Sequence, residues 1–216
     1  DDVVIEALAA SLGNEADRES AGNVHGLAIG VVTTNEDTEG LARVRVRLPW
    51  QAESEESFWA RLVVPMALSS QGTYFLPEID TQVLCGFERG DLTHPCVLGC
   101  LWTGEAPPPE TNDGSNDVRL IRTRSNSELR FVDSDQPSLE LKLASGKRLL
   151  MDDSSVVLED GTGNRFEIET NGEGVKLVSI GGLCLQGVNV DINACVALDI
   201  SSSGTLTIQG AMVQIN

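Results

Sequence analysis

The hardest constraint on this chain sits near its end, in "GVNVDINACVALDISSSGTLTIQGAMVQIN". From Val188 to Ile200 the even positions read Val188, Val190, Ile192, Ala194, Val196, Leu198 and Ile200, while the odd positions read Asn189, Asp191, Asn193, Cys195, Ala197 and Asp199. Successive side chains of a β-strand point to opposite faces, so this period of two gathers one apolar face and one largely polar face. The stripe resumes at Leu206 and Ile208, so the residues after Ile200 extend the apolar face rather than cover it.

Composition narrows what could cover it. The 216 residues suffice for one or two small domains, and the chain is 41% hydrophobic, enough to build cores. No run of about eighteen apolar residues marks a spanning helix. The opening "DDVVIEALAA" is acidic and unlike a signal peptide, and without an initiator Met it reads as processed or as part of a longer chain. The formal charge is -18, a field that repels phosphate and argues against nucleic acid as the main partner. Lysine appears only at Lys142, Lys147 and Lys176, a pattern compatible with adaptation to high salt. The five cysteines, Cys85, Cys96, Cys100, Cys184 and Cys195, lack paired spacing for zinc or a disulfide framework and are expected as small buried hydrophobes.

Residues 1–22 carry the one helical signal, with Val4, Leu8 and Leu12 recurring every four positions before Gly13-Asn14. Residues 23–103 hold five strand-like runs, "GLAIGVVTT", "LARVRVRLPW", "FWARLVVPM", "TQVLCGFERGD" and "CVLGCLW". Five short strands in this length predict an oligonucleotide/oligosaccharide-binding (OB) barrel. Seven aromatics fall here (Trp50, Phe58, Trp59, Tyr74, Phe75, Phe87 and Trp102) and are expected to supply its core. Residues 104–117 are rich in Pro, Gly, Asn and Asp and read as a linker. From 118 to 216 short alternating runs recur with only Phe131 and Phe166 as aromatics, a chain laid down strand after strand.

An alternating strand buries one face only. A single chain could coil into a β-helix around its own interior. The alternative is three chains winding together, each contributing one wall of a prism, with Val188, Val190, Ile192, Val196, Leu198, Ile200, Leu206 and Ile208 on the axis. Small aliphatics suit so narrow an interior, and closure removes the open edges that promote aggregation. The expected fold is therefore all-β: a five-stranded OB barrel, then an intertwined trimeric β-helix needle, with a short N-terminal helix.

The stretches "GLAIGVVTTNEDTEGLARVRVRLPW", "FWARLVVPMA", "GTYFLPEIDTQVLCGFERGD", "HPCVLGCLWTGEAPPPETN", "VRLIRTRSNSELRFVD" and "GTLTIQGAMVQIN" resemble, in order and spacing, the central spike of contractile injection systems, the VgrG and phage baseplate assembly protein V family. The resemblance implies a homotrimeric, membrane-puncturing spike. It implies hub or baseplate proteins behind it, a PAAR-like tip protein in front, contact with the inner tube and effectors, and a target membrane on firing. Assembly in the cytoplasm and release or firing outward are implied by the same likeness. VgrG proteins carry a large hub region before the barrel, whereas about 25 residues precede it here. Either the hub is a separate chain or the sequence is a piece of a longer spike. Met212, Val213, Gln214, Ile215 and Asn216 are expected to form the platform for the tip protein, with Gly210 marking a change of strand parity.

Arg43, Arg45 and Arg47 alternate with Val44, Val46 and Leu48 and form a candidate docking face for acidic groups. Neither His25 nor His94 lies in a recognisable catalytic or zinc motif, and the paired acids Asp152-Asp153 and Glu159-Asp160 read as solvated turns. No catalytic residue, cofactor or metal is expected, and no enzyme activity. The competing readings are an OB-fold nucleic-acid-binding protein, which the acidic charge disfavours, and a secreted β-solenoid acting on polysaccharide, which would want aromatic platforms beyond residue 118.

Overall fold

The computed structural model describes residues 24, 26–172 and 174–214. The helix expected within residues 1–22, together with His25, Ile215 and Asn216, lies outside them. Two compact units divide between Thr111 and Asn112. Apart from one 3-10 turn at Glu88–Gly90, the secondary structure of the described residues is strand.

The first unit contains β1 (Ala28–Thr34), β2 (Arg45–Arg47), β3 (Arg61–Leu62), β4 (Ala67–Leu68), β5 (Gln71–Gly72), β6 (Gln82–Phe87) and β7 (Pro95–Cys100). Five of them form a sheet in the order β2-β1-β6-β7-β3, and β4 and β5 make a separate small hairpin. Within the sheet β1 is antiparallel to both β2 and β6, β6 is antiparallel to β7, and β3 runs parallel to β7. The sheet curls until its edges meet. Val44 and Ala60, each just before an edge strand, exchange backbone hydrogen bonds of 3.0 and 2.7 Å. Ser57, buried, strengthens this seam: its N–H donates to the Val46 carbonyl at 2.8 Å and its Oγ accepts from the Val46 N–H at 3.0 Å. All five strands expected from the sequence are present, the third reduced to two residues.

The core of this unit is not the expected one. Ala28, Val32, Val44, Val46, Leu48, Ala60, Val83, Cys85 and Val97 fill it, with Leu62, Leu76 and Phe87 packed alongside. Trp50, Phe58, Tyr74, Phe75 and Trp102 are exposed. The correction has a geometric cause: a barrel of five short strands encloses room for small branched side chains and little more. Each fully buried valine still contributes about 1.5–3 kcal/mol. The cysteines need the same correction. All five are free, Cys85 alone is buried, and Cys100, Cys184 and Cys195 are exposed.

The second unit holds β8 (Val118–Arg122), β9 (Glu128–Val132), β10 (Ser138–Lys142), β11 (Arg148–Asp152), β12 (Ser155–Glu159), β13 (Arg165–Glu169) and β14 (Gly174–Val178). Each is five residues long, and each pairs antiparallel with its sequence neighbour, giving one seven-stranded meander. The turns explain why the chain reverses so regularly. Asp152 accepts from the N–H groups of Ser154 and Ser155, both at 2.8 Å. Asp160 does the same for Thr162, at 2.8 Å, and its other oxygen accepts from the Asn164 amide. Gly161 adopts φ 76° and lies so close to the neighbouring turn that a Cβ there would sit 3.1 Å from the Gly146 backbone, which excludes larger residues. Within the single chain these strands are hairpins, not coils of a solenoid. Described residues beyond β14, from 179 to 214, form no strand.

Candidate functional site

Register divides the meander into two unlike faces. One row across all seven strands reads Ile121, Leu129, Leu141, Leu149, Leu158, Phe166 and Leu177. The neighbouring row on the same face reads Arg119, Phe131, Leu139, Met151, Val156, Ile168 and Val175. Seven positions of the first row and six of the second are apolar, and Arg119 is the exception. Most of these side chains are exposed, among them Leu158 at 55% and Val175 at 63%. Large contiguous apolar surfaces of this kind mark interaction sites on soluble proteins.

The opposite face is a ladder of charges. Its rows read Arg122, Glu128, Lys142, Arg148, Glu159, Arg165 and Val178, then Leu120, Arg130, Glu140, Leu150, Val157, Glu167 and Lys176. Arg122 pairs with Glu128 at 2.7 Å, Arg130 with Glu128 at 3.3 Å, Arg148 with Glu140 at 3.5 Å, and Lys176 with Glu169 at 2.9 Å. Arg148 and Arg165 both bond Glu159, and Arg165 also bonds Glu167. Burial raises the Glu128 carboxyl, but Arg122 and Arg130 more than offset it and hold it below the usual carboxylate range. With Asp152 and Glu169 counted, six acids on this face meet six bases (Arg122, Arg130, Lys142, Arg148, Arg165, Lys176), so it is neutral within a chain of net charge -18.

Beyond β14, the proposed axis residues are all solvent-facing in the single chain. Val188 and Val196 are fully exposed, Ile192 is 60% exposed, and Val190, Leu198, Ile200, Leu206 and Ile208 are each more than half exposed. Met212 and Val213 are exposed too, as is Gln214. At Gly210 the chain folds back so that an added Cβ would meet the Met212 carbonyl at 3.2 Å.

The arginine stripe behaves differently from its sequence pattern. Val44, Val46 and Leu48 point into the core, so Arg43, Arg45 and Arg47 share the outer face. Arg43 grips Asp37 with two hydrogen bonds, at 2.7 and 2.8 Å, and reaches Glu39 at 3.0 Å. Asp37 also accepts from the N–H groups of Glu39, Leu41 and Arg43, and these donors hold its carboxyl well below the usual range, Arg43 foremost. Arg45 pairs with Glu56 at 3.2 Å and lies over the Trp59 ring, 4.7 Å from its centroid, with Arg43 5.4 Å from the same centroid. Two of the three arginines are thus already engaged by carboxylates of their own chain, and these partners come from loops that no alternation in the sequence could pair with them. Arg47 makes no ion pair among the described residues. His94 Nδ1 lies 3.0 Å from an Asp91 carboxylate oxygen and 2.9 Å from the Thr93 hydroxyl, all within one surface turn. Among the described residues no three His, Cys, Asp or Glu side chains are grouped to hold a metal ion, and no helix is long and apolar enough to cross a membrane.

A curled five-stranded sheet of this order, with its edges joined at Val44 and Ala60, is the architecture of an OB domain. Residues 28–102 match the family model of the type VI secretion system/phage-baseplate injector OB domain. Over 111 residues the chain is 29% identical to the type VI secretion system spike protein VgrG4b of Pseudomonas aeruginosa, covering 42% of this chain and 14% of that protein. Over 71 residues it is 34% identical to the spike protein VgrG5 of the same organism, covering 31% of this chain and 9% of that protein. The resemblance to the central spike of contractile injection systems is borne out, through the injector OB-domain match of residues 28–102 and the likeness to these spike proteins. The chain corresponds to a small part of the length of these relatives.

Proposed function

We propose that this chain is a structural spike component of a contractile injection machine, a homotrimer whose barrels seat on a hub and whose residues 118–216 form the membrane-puncturing needle. The observation that carries this reading is the pair of uncovered apolar surfaces, the thirteen-residue face of the meander and the exposed stripe from Val188 to Ile208. Among the described residues of the second unit, none covers either surface. Two further copies supply matching surfaces, and three walls with apolar sides inward leave the neutral charge ladders outward. On such a shaft the charges of the outward strand faces are balanced within each wall. Met212, Val213 and Gln214, with Ile215 and Asn216 after them, are the proposed seat for a PAAR-like tip protein. The OB barrel acts as the collar between hub and needle, and inner tube and effectors meet the machine behind it.

The activity is mechanical, with no catalytic residue, cofactor or resident metal. The test is assembly. Native mass spectrometry of the purified chain is expected to give a trimer, and negative-stain microscopy a thin rod beside a wider head. A monomer retaining its full β-sheet signal would overturn the reading. A pull-down of a PAAR-type protein by the intact chain, compared with one ending at Gln209, tests the tip: equal capture by both would place the cap elsewhere.

A further inference from the structure

Charge in the meander balances across its strand face but separates between its two rims. One rim is the row of strand ends from Arg122 to Val178 together with the turns 123–127, 143–147 and 160–164. It holds six bases (Arg122, Arg124, Lys142, Lys147, Arg148, Arg165) and three acids (Glu128, Glu159, Asp160), a net charge of +3. The other rim is the opposite ends of the same strands with the turns 133–137, 153–154 and 170–172, and Asp117 joins it by accepting from the Asp133 N–H at 2.9 Å. Among the described residues this rim holds six acids (Asp117, Asp133, Asp135, Asp152, Asp153, Glu169) and no base. We propose that the basic rim of one copy docks on the acidic rim of a second copy. The proposal rests on the trimeric reading above and adds which edges of the walls meet.

Complementarity argues for this partner. Within the chain the rims cannot satisfy each other: five-residue strands hold them about 14 Å apart, beyond a screening length of about 8 Å at physiological salt. Local pairs leave a remainder on both. Arg119 and Lys176, just inside the acidic rim, take Asp133 at 2.8 Å and Glu169 at 2.9 Å, while Asp135 and Asp153 make no ion pair among the described residues. On the basic rim Arg122 takes Glu128, and Arg148 and Arg165 share Glu159. Lys142 and Lys147 make no ion pair among the described residues, and all four of these unpaired side chains belong to exposed residues. Three walls related by a threefold rotation make a heterologous ring, in which each wall offers one rim to the opposite rim of the next. The turns alternate from rim to rim, so the two rims are offset by one strand spacing, about 4.8 Å. A rotation about an axis along the stack of strands therefore brings turn 143–147, with Lys142 and Lys147, opposite the space between turns 133–137 and 153–154 of the next copy, where Asp135 and Asp153 stand. Charges placed this way fix the register in which the walls close.

Charge reversal in the full chain tests it, read by sedimentation equilibrium over a dilution series at low salt. One variant carries Lys142→Glu and Lys147→Glu, a second carries Asp135→Lys and Asp153→Lys, and a third carries all four. Each double reversal turns attraction into repulsion at three contacts per trimer and is expected to weaken association about a hundredfold. Net self-repulsion alone gives a different pattern. Each reversed residue changes the charge by two, so the chain goes from -18 to -22 in the first variant and to -14 in the second, and the second would then associate more tightly. The fourfold variant returns to -18 with its rims exchanged and is expected to associate as the unsubstituted chain does. A trimer that the acidic-rim reversal tightens or leaves unmoved, or a fourfold variant as weak as the doubles, overturns the rim pairing and leaves the trimer standing. A monomeric unsubstituted chain overturns both.

Discussion

Ile192 separates the trimer from every reading in which the stripe simply faces water. In the single chain it is 60% exposed, so trimming it to alanine removes little buried surface, and surface substitutions of that kind fall within about 0.5 kcal/mol. On a three-chain axis the side chain is buried against its own copies. Isoleucine to alanine in a core costs roughly 2–5 kcal/mol per site, and three sites are lost at once, so even the low end gives about 6 kcal/mol per trimer. That weakens association by about four powers of ten. Sedimentation equilibrium across a dilution series reads this directly, and Asp191→Ala, on the other parity, serves as the control expected to change nothing. Ile192→Asp goes further, since three carboxylates on one axis have no cationic partner, and the chain is expected to stay monomeric. If Ile192→Ala dissociates on the same curve as the unsubstituted protein, the stripe is not an axis and the argument from its parity fails.

Three other outcomes rest on the geometry. Val46→Ala, at a fully buried position that also anchors the Ser57 seam, is expected to lower the stability of the barrel by about 2–3 kcal/mol in denaturant titration while leaving the mass of the assembly unchanged. Asp37 and Asp160 titrate below the usual carboxylate range when folded, so their contribution is present above about pH 4 and is lost as pH falls from there toward the folded values. Asp37→Asn is expected to lower the melting temperature in the neutral region, where the carboxylate contributes, and to flatten the acid limb of the profile. A trimer would carry three times -18, or -54, and molar potassium chloride shortens the screening length to about 3 Å, so its melting temperature is expected to rise with salt. An unchanged value would remove the case for salt adaptation.

Strands were the most legible part of this chain because a period of two is a local property. Every run of alternation between residues 26 and 178 became a strand, and the turns fell where Asp, Gly and Asn cluster. Occupancy of the barrel was less legible. Aromatic residues are ordinarily core material, but the interior of five short strands is too narrow, and valines at 32, 44, 46, 83 and 97 took it. The ion pairs of Arg43 and Arg45 were hidden for another reason: Asp37 and Glu56 lie on loops whose closure depends on the whole sheet.

The amphipathic sheet could have been read, and parity shows why it was missed. Its apolar residues are odd-numbered through β8 to β11, even-numbered in β12 and β13, and odd again in β14. A search at fixed parity sees interruptions there. In an antiparallel ladder, however, two opposed residues have numbers with a constant sum, and their parity matches only when that sum is even. Arg148 opposite Glu159 gives 307, and Arg165 opposite Val178 gives 343, both odd. The sequence changes parity at those two turns because the face does not change. Alternation reset in step with turn length is what a continuous apolar wall requires, and a chain under no demand to keep such a wall would let the parities drift. The stripe at Val188 to Ile208 obeys the same rule over a longer run, with no pairing partner among the described residues of its own chain. A surface kept this consistently apolar and this consistently uncovered marks an interaction site, and in the proposed trimer it is the surface that meets another copy.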